Sequence, residues 1–302
     1  MNASSKRFSV SINPTYKCSA GCKFCYLGDQ RLDQTLLPLS KLHDKLSKLS
    51  EIETIDIYGG EISELTDNYI FDLLDCVRGF NPRRINITTN LSRISSAFLE
   101  PDVDLYVSWD YVARQDWKNT LSNLQHLHRD FSIITLATRK IAKELFLKEY
   151  VKILNRLEGL TSVEVKPYSP NQYNSIWGSE ESFETVVKYL LCDDSRKFGL
   201  ANEDLMNMAL EGNRPHLHDH VFINPRGLYS TIDFDENGLE YFKTIKDVNG
   251  IFSKEVDDIV RMGSNPLCRE CKYNQSCLSE HINYNTCTGH KDLLEWYETL
   301  EV

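Results

Sequence analysis

Nine cysteines in 302 residues frame the chemistry open to this chain, and their spacing narrows it. Seven fall in two groups: Cys18, Cys22 and Cys25 near the start, and Cys268, Cys271, Cys277 and Cys287 near the end. Reducing compartments keep thiols free, so grouped cysteines in a chain with no secretory signal point to a metal. Three thiolates in the pattern C-x3-C-x2-C can wrap one corner of an iron–sulfur cubane. Small Ala20 and Gly21 let the backbone bend around it. Three ligands for four irons would leave one iron open. A structural zinc site would want a fourth ligand nearby, for which Tyr16 and His43 are the near alternatives. Cys76 and Cys192 stand apart and read as buried small hydrophobes.

The second group leaves two metals open. Its four thiols suit an iron–sulfur cluster, while Cys271-x5-Cys277-x3-His281 has the spacing of the tail of a CCCH zinc finger. His216, His218 and His220 alternate, which would place them on one face of a strand. They read as surface or core histidines and are left outside the metal set.

Something must hold these cysteines. Short strand-like runs at Phe8–Ile12, Thr54–Tyr58, Arg84–Thr88, Leu105–Trp109, Phe131–Thr138 and Ser162–Lys166 alternate with helical patterns near 39–50, 66–78, 92–99, 116–128 and 143–157. That rhythm predicts a parallel sheet with crossover helices. After residue 167 it breaks into a Ser-, Asn- and Pro-rich loop, followed by a helix over about 180–191. A β-hairpin is expected within 221–238, with turns at Pro225–Gly227 and Glu236–Gly238, and a last helix near 291–299. The expected division is a core over 1–167, a linker with a helix over 168–215, and a cysteine-rich unit over 216–302.

Composition sets the outer bounds. Hydrophobic residues make up 41% and charged residues 26%, as in soluble globular proteins, and no apolar run is long enough to cross a membrane. The N-terminus lacks the apolar block of a signal peptide, so a cytoplasmic location is expected. A net charge of −10 argues against bulk electrostatic binding of nucleic acid.

The first motif resembles that of the radical S-adenosylmethionine (SAM) superfamily: CxxxCxxC, with aromatic Phe24 before the third cysteine, in the loop after the first strand. The resemblance implies an α/β fold, a partial (β/α)6 TIM-type barrel over about residues 8–167, and a 4Fe–4S cluster on Cys18, Cys22 and Cys25. It also implies SAM-contacting positions at successive strand ends. These are Phe24 and Tyr26 in the cysteine loop, Gly59, Gly60 and Glu61 after the second strand, Asn90 after the third, and Ser108 and Asp110 after the fourth. The second group is similar to the SPASM or twitch extension found in such enzymes. There Cys268, Cys271, Cys277 and Cys287 would hold an auxiliary 4Fe–4S cluster. The pattern departs from that family at His281 and Ile232, where cysteines of a further auxiliary cluster would stand, so one auxiliary cluster is expected.

The activity implied is reductive cleavage of SAM to a 5′-deoxyadenosyl radical, followed by hydrogen abstraction from a substrate. Oxidative cross-linking of side chains in a ribosomally made precursor peptide is the preferred reading. The alternatives are a dehydrogenase or rearrangement enzyme for a small biosynthetic molecule, and an inactive metal-stapled binding module. A flavodoxin or ferredoxin would supply electrons. Only 17 residues precede Cys18, so recognition of a precursor peptide is expected to need a separate leader-binding chain or the barrel's own edge. Amides of the loop from Lys166 to Tyr173 could bond an extended peptide. Asp110, Asp233 and Asp235 are the candidate proton acceptors.

Overall fold

The computed structural model describes residues 7–168, 180–215, 220–235, 237–279, 282 and 286–300, and only the backbone over 251–255. His216, His218, His281 and loop residues 169–173 lie outside that set.

All six expected strands form: β1 (Arg7–Ile12), β2 (Glu51–Ile57), β3 (Arg84–Thr89), β4 (Val103–Ser108), β5 (Phe131–Leu136) and β6 (Leu160–Lys166). They pair in parallel, in chain order, as crossover connections require. The crossovers carry α1 (Leu39–Leu46), α2 (Asp67–Arg78), α3 (Trp117–Gln125) and α4 (Glu144–Leu154). The helix expected at 92–99 shrinks to a 3-10 turn at Ser96–Leu99. Polar side chains there take backbone and hydroxyl partners that a helix would need. Asn90 Oδ1 accepts from the Ser92 amide at 2.8 Å, and Asp67 accepts from the Ser95 and Ser96 hydroxyls at 2.8 Å each.

Beyond residue 179 come α5 (Glu180–Cys192), β7 (Gly199–Leu200), α6 (Ala201–Leu210), β8 (His220–Ile223), β9 (Tyr229–Phe234) and β10 (Glu240–Thr244). The chain closes with α7 (Asn249–Ser264), α8 (Pro266–Arg269) and α9 (Lys291–Glu298). The expected hairpin is therefore a meander of three strands. Its turns are completed by Gly227 and Gly238 at φ +71° and +72°, where other residues would be strained. The meander does not stand apart. β8 pairs in parallel with β1, giving one ten-stranded sheet in the order β10-β9-β8-β1-β2-β3-β4-β5-β6-β7.

The sheet is curled. Asp56 on β2 interacts electrostatically with Glu164 and Lys166 on β6, four strands away, and with His220 on β8. In a flat sheet β2 and β6 would be about 19 Å apart. Curling brings a polar concave face together, which includes Ser11, Asp56, Asn86 and Glu164. The other face, with Val10, Ile12, Ile55, Ile57, Ile87 and Val107 fully buried, packs against the helices. The partial barrel is thus filled on its helix side and polar on its inner side, unlike a closed barrel packed with apolar layers.

The two isolated cysteines are less buried than expected. Cys76 is half-buried against the core, and Cys192 is exposed. Cys192 ends α5 off its inward stripe of Phe183, Val186, Val187 and Leu190. Among the described residues no helix is long and apolar enough to cross a membrane.

Candidate active site at the strand ends

The first cysteine group lies in the loop between β1 and α1. The loop is pinned at its base, where Thr15 bridges Leu36 and the Thr15 hydroxyl donates to the Thr35 carbonyl at 3.0 Å. Within it the Cys18 amide donates to the Arg31 carbonyl at 3.1 Å, and the Cys25 amide to the Cys22 carbonyl at 3.2 Å. Gly21 sits at φ +34°, a left-handed turn between the first two cysteines. Cys18, Cys22 and Cys25 are free thiols, all half-buried, and Cys25 lies close enough to raise the pKa of both Cys18 and Cys22. Burial pushes the Cys18 thiol up to about 11 and the Cys22 thiol to about 12, the latter partly offset by Arg114.

Gly59 and Gly60 follow β2 and lie against the entrance to this loop. The Gly60 and Glu61 amides donate to the Thr15 and Lys17 carbonyls, each at 2.8 Å. A Cβ on Gly60 would overlap the Lys17 carbonyl and the Tyr16 main chain. The close approach these glycines permit is therefore to the protein's own backbone. Glu61 is 2% exposed, and its carboxylate accepts from the Ser63 amide at 2.8 Å, the Asn90 amide at 2.8 Å and the Thr89 hydroxyl. Burial raises its pKa against the pull of these donors. Glu61 ties the end of β2 to the end of β3. In turn the Asn90 carbonyl accepts from the Thr120 hydroxyl of α3 at 2.9 Å.

After β4, Asp110 is 1% exposed and accepts from Arg114 at 2.7 Å and from the Leu136 amide at 2.8 Å. Arg114 also donates to Ser108 Oγ at 2.9 Å. Its guanidinium lies 5.9 Å from the Phe24 ring centre, and the opposite neighbour of Phe24 is Tyr168, with centroids 5.9 Å apart. Desolvation alone would lower the Arg114 pKa, but Asp110 and Cys22 outweigh it. One buried cation thus joins Ser108 and Asp110 to the cysteine loop. Tyr26 packs on Phe242 of β10 at 5.4 Å between centroids, and its buried hydroxyl has no partner among the described residues.

The second group is drawn from several segments. α8 carries Cys268 and is capped by buried Asn265, which accepts from the Leu267 amide at 2.9 Å. The Asn265 amide group donates to the Thr286 carbonyl at 3.2 Å, beside Cys287. The Cys271 amide donates to the Cys268 carbonyl at 3.2 Å, and the Ser279 amide points at Cys277 Sγ at 3.4 Å. Any side chain at Gly289 would collide with that sulfur. Cys268 neighbours Cys287 and Cys271, and Cys277 neighbours Cys287 and Cys268, so the four thiols assemble. Among the described residues no three ligating side chains converge as on a single metal ion.

No protein-family model matches this chain, and no curated protein does. Solved structures match over almost its full length. A tagged form of anSMEcpe with bound AdoMet superposes with a TM-score of 0.68 at 13% identity, covering 98% of this chain and 99% of that one. Streptococcus suis SuiB bound to S-adenosylmethionine gives 0.63 at 15% identity, over 90% of this chain and 72% of SuiB. SuiB bound to precursor peptide SuiA gives 0.62 at 15% identity, over 90% and 71%. The chain shares the fold of anSMEcpe and SuiB.

In this fold Glu61 and Asp110 lie beside the cysteine loop, and Ser108 is joined to it through Arg114. Sequence reasoning missed two of their neighbours. Arg114 was signalled only by its spacing of four from Asp110. Glu64, which accepts from the Ser19 amide of the loop at 2.7 Å, had no signal beyond its place near the glycine turn. Of the candidate proton acceptors, Asp110 is bound to Arg114, and Asp233 is held by Arg261 and by Lys243 at 2.9 Å. Asp235 accepts from the Asn237 and Leu239 amides in a turn. The concave face carries Glu164 and Asp56, the latter hydrogen-bonded by Asn86 at 2.6 Å, with its pKa raised by burial.

The donor set fits an iron–sulfur cluster at both places. Desolvated thiols remain protonated at neutral pH, so thiolates here need a metal cation beside them. A cubane takes each thiolate on a different iron, which a spread set of three or four cysteines suits.

Proposed function

We propose that this chain is a radical SAM enzyme that modifies a ribosomally made peptide, by oxidative linkage of side chains. The observation that carries the reading is the three-cysteine loop packed against the glycine turn after β2 and joined to Ser108 and Asp110 through Arg114. Solved structures of the same fold include one with bound AdoMet and Cp18Cys peptide, and SuiB with its precursor peptide SuiA.

Cys18, Cys22 and Cys25 would hold a 4Fe–4S cluster with one iron left for SAM. Cys268, Cys271, Cys277 and Cys287 would hold a second cluster able to accept an electron. When bound, reduced cluster and SAM supply a radical strong enough to take hydrogen from an unactivated carbon.

The chain's own groups position and shield. Gly59, Gly60 and Glu61 fix the loop relative to β2, and Glu61 locks the ends of β2 and β3 together. Arg114 places positive charge beside Cys22, which favours the anionic form of a bound thiolate cluster. The concave face offers Asp56 as proton acceptor, since its raised pKa brings it nearer the working pH of a general base.

The test is to co-express the protein with short open reading frames neighbouring its gene and weigh the peptides. Each oxidative link removes two hydrogens, so a peptide lighter by that mass is the expected result. SAM cleavage with no change in any peptide, but dehydrogenation of an added small metabolite, would overturn the peptide reading.

A further inference from the structure

A pocket of about 580 Å³ lies where the cysteine loop meets the meander of β8–β10. Its lining includes Tyr16 and Tyr26, which flank the first cysteine group, and Ser230, Ile232 and Phe242 of the meander. Two hydroxyls there are buried without a partner among the described residues, those of Tyr26 and of Ser230, the latter in a residue 2% exposed. Leaving such groups unpaired is costly, so this pocket suits a polar ligand group. Around them the rings of Tyr26 and Phe242, and of Phe222 and Phe242, lie 5.4 and 5.1 Å apart.

β10 is an edge of the sheet. The Asp235 amide bonds the Leu239 carbonyl and the Ile245 amide bonds the Tyr229 carbonyl, so alternate residues from Leu239 to Ile245 point their main-chain groups inward at β9. The residues between them, Glu240, Phe242 and Thr244, therefore turn their main-chain groups outward. All three line the pocket, together with Tyr241. No described residue pairs with the outer amide or carbonyl of Phe242 or Thr244.

We propose that this edge and pocket form a docking site for an extended peptide, whose main chain adds a strand to β10 and whose tyrosine-like side chain fills the pocket. Only a peptide main chain repeats donors and acceptors at the spacing that Phe242 and Thr244 present. Alternate side chains of an added strand fall on one face, the face where Phe242 and Thr244 already point. An aromatic ring would lie against Phe242, and its hydroxyl would reach Ser230 or Tyr26. Pocket and cysteine loop share Tyr16 and Tyr26, so a peptide held here lies beside the candidate radical site. The inference rests on the peptide reading above and names where that peptide binds.

The probe is a displayed library of random twelve-residue peptides, selected against anaerobically reconstituted full-length protein. Hydrogen exchange with a selected synthetic peptide should slow the Phe242 and Thr244 amides. Thr244→Pro removes an outward amide, which an edge strand tolerates. It should weaken binding about tenfold, as should replacing the peptide's aromatic residue with alanine. Ser230→Leu, which fills the pocket, should do the same. Binding that protects neither amide and is unchanged in Ser230→Leu overturns this site while leaving the peptide reading intact. If no peptide binds the wild-type protein, both fall. Should Thr244→Pro fail to fold, wild-type exchange and Ser230→Leu still decide.

Discussion

The two cysteine groups are built on opposite plans. Cys18, Cys22 and Cys25 share one short loop, and what surrounds them is charged and polar: Arg114, Glu61, Glu64 and Asp110. Cys268, Cys271, Cys277 and Cys287 arrive from a capped helix, a turn and a distant segment, stitched by Asn265. Three thiols at the mouth of a curled sheet leave room for a reactant, while four thiols close a centre on itself. On the function proposed above, the first site would exchange a reactant and the second would keep its metal.

Removing one ligand from each site gives the largest contrast. Cys22→Ala should reduce SAM cleavage to background, because two thiols cannot hold the open cluster. Cys277→Ala should retain SAM cleavage but lose peptide modification and the metal of the second site. Chromatography of 5′-deoxyadenosine, with iron and zinc analysis of both variants, separates the outcomes. Equal loss of SAM cleavage in both would erase the division of labour.

A Cβ at either of two glycines sharpens the same comparison. Gly60→Ala pushes into the Lys17 carbonyl and should destabilise the fold by about 3 kcal/mol. Gly289→Ala meets a single sulfur and should release metal from the second site with a smaller fall in Tm. Next comes Arg114→Met, which strands buried Asp110 and should cost about 3 kcal/mol, with partial recovery on adding Asp110→Asn. Denaturant titration of the single and double variants measures it.

The smallest effect is a pH dependence near the second site. Burial works to raise the Asp233 pKa, but hydrogen bonds from Lys243 and Arg261 outweigh it, and the net shift is downward. A carboxylate with a lowered folded-state pKa stabilises above its unfolded value of about 4, and that stability fades as pH falls through the folded value. Asp233→Asn should therefore lower Tm at pH 7 and flatten the loss of Tm on acidification. An unchanged acid limb would mean that this ion pair does not latch α7 onto β9.

What could be read from the sequence follows from where each signal resides. Cysteine spacing is local, and β1 to β6 bury apolar residues at every second position, so both were legible. Arg114 was not, because a buried cation acquires meaning only when Phe24 and Cys22 arrive from another loop. α7 was missed because its pattern is inverted. Asp258 and Arg261 are buried at 2% and 3% exposure, while Val256, Ile259 and Val260 face outward. β10 was missed because Glu240–Thr244 alternates too weakly at a sheet edge. Glu61 was read as a ligand-binding carboxylate, and only the fold brought Ser63, Thr89 and Asn90 to it.

The central claim is that the three-cysteine loop holds an open-site cluster that cleaves SAM. Its most direct test is 5′-deoxyadenosine formed by the reconstituted, dithionite-reduced protein, measured beside Cys22→Ala. Steady product from the wild type and none from the variant is the predicted result. A fully iron-loaded, reduced wild type that forms none, or a variant that forms as much, would contradict it.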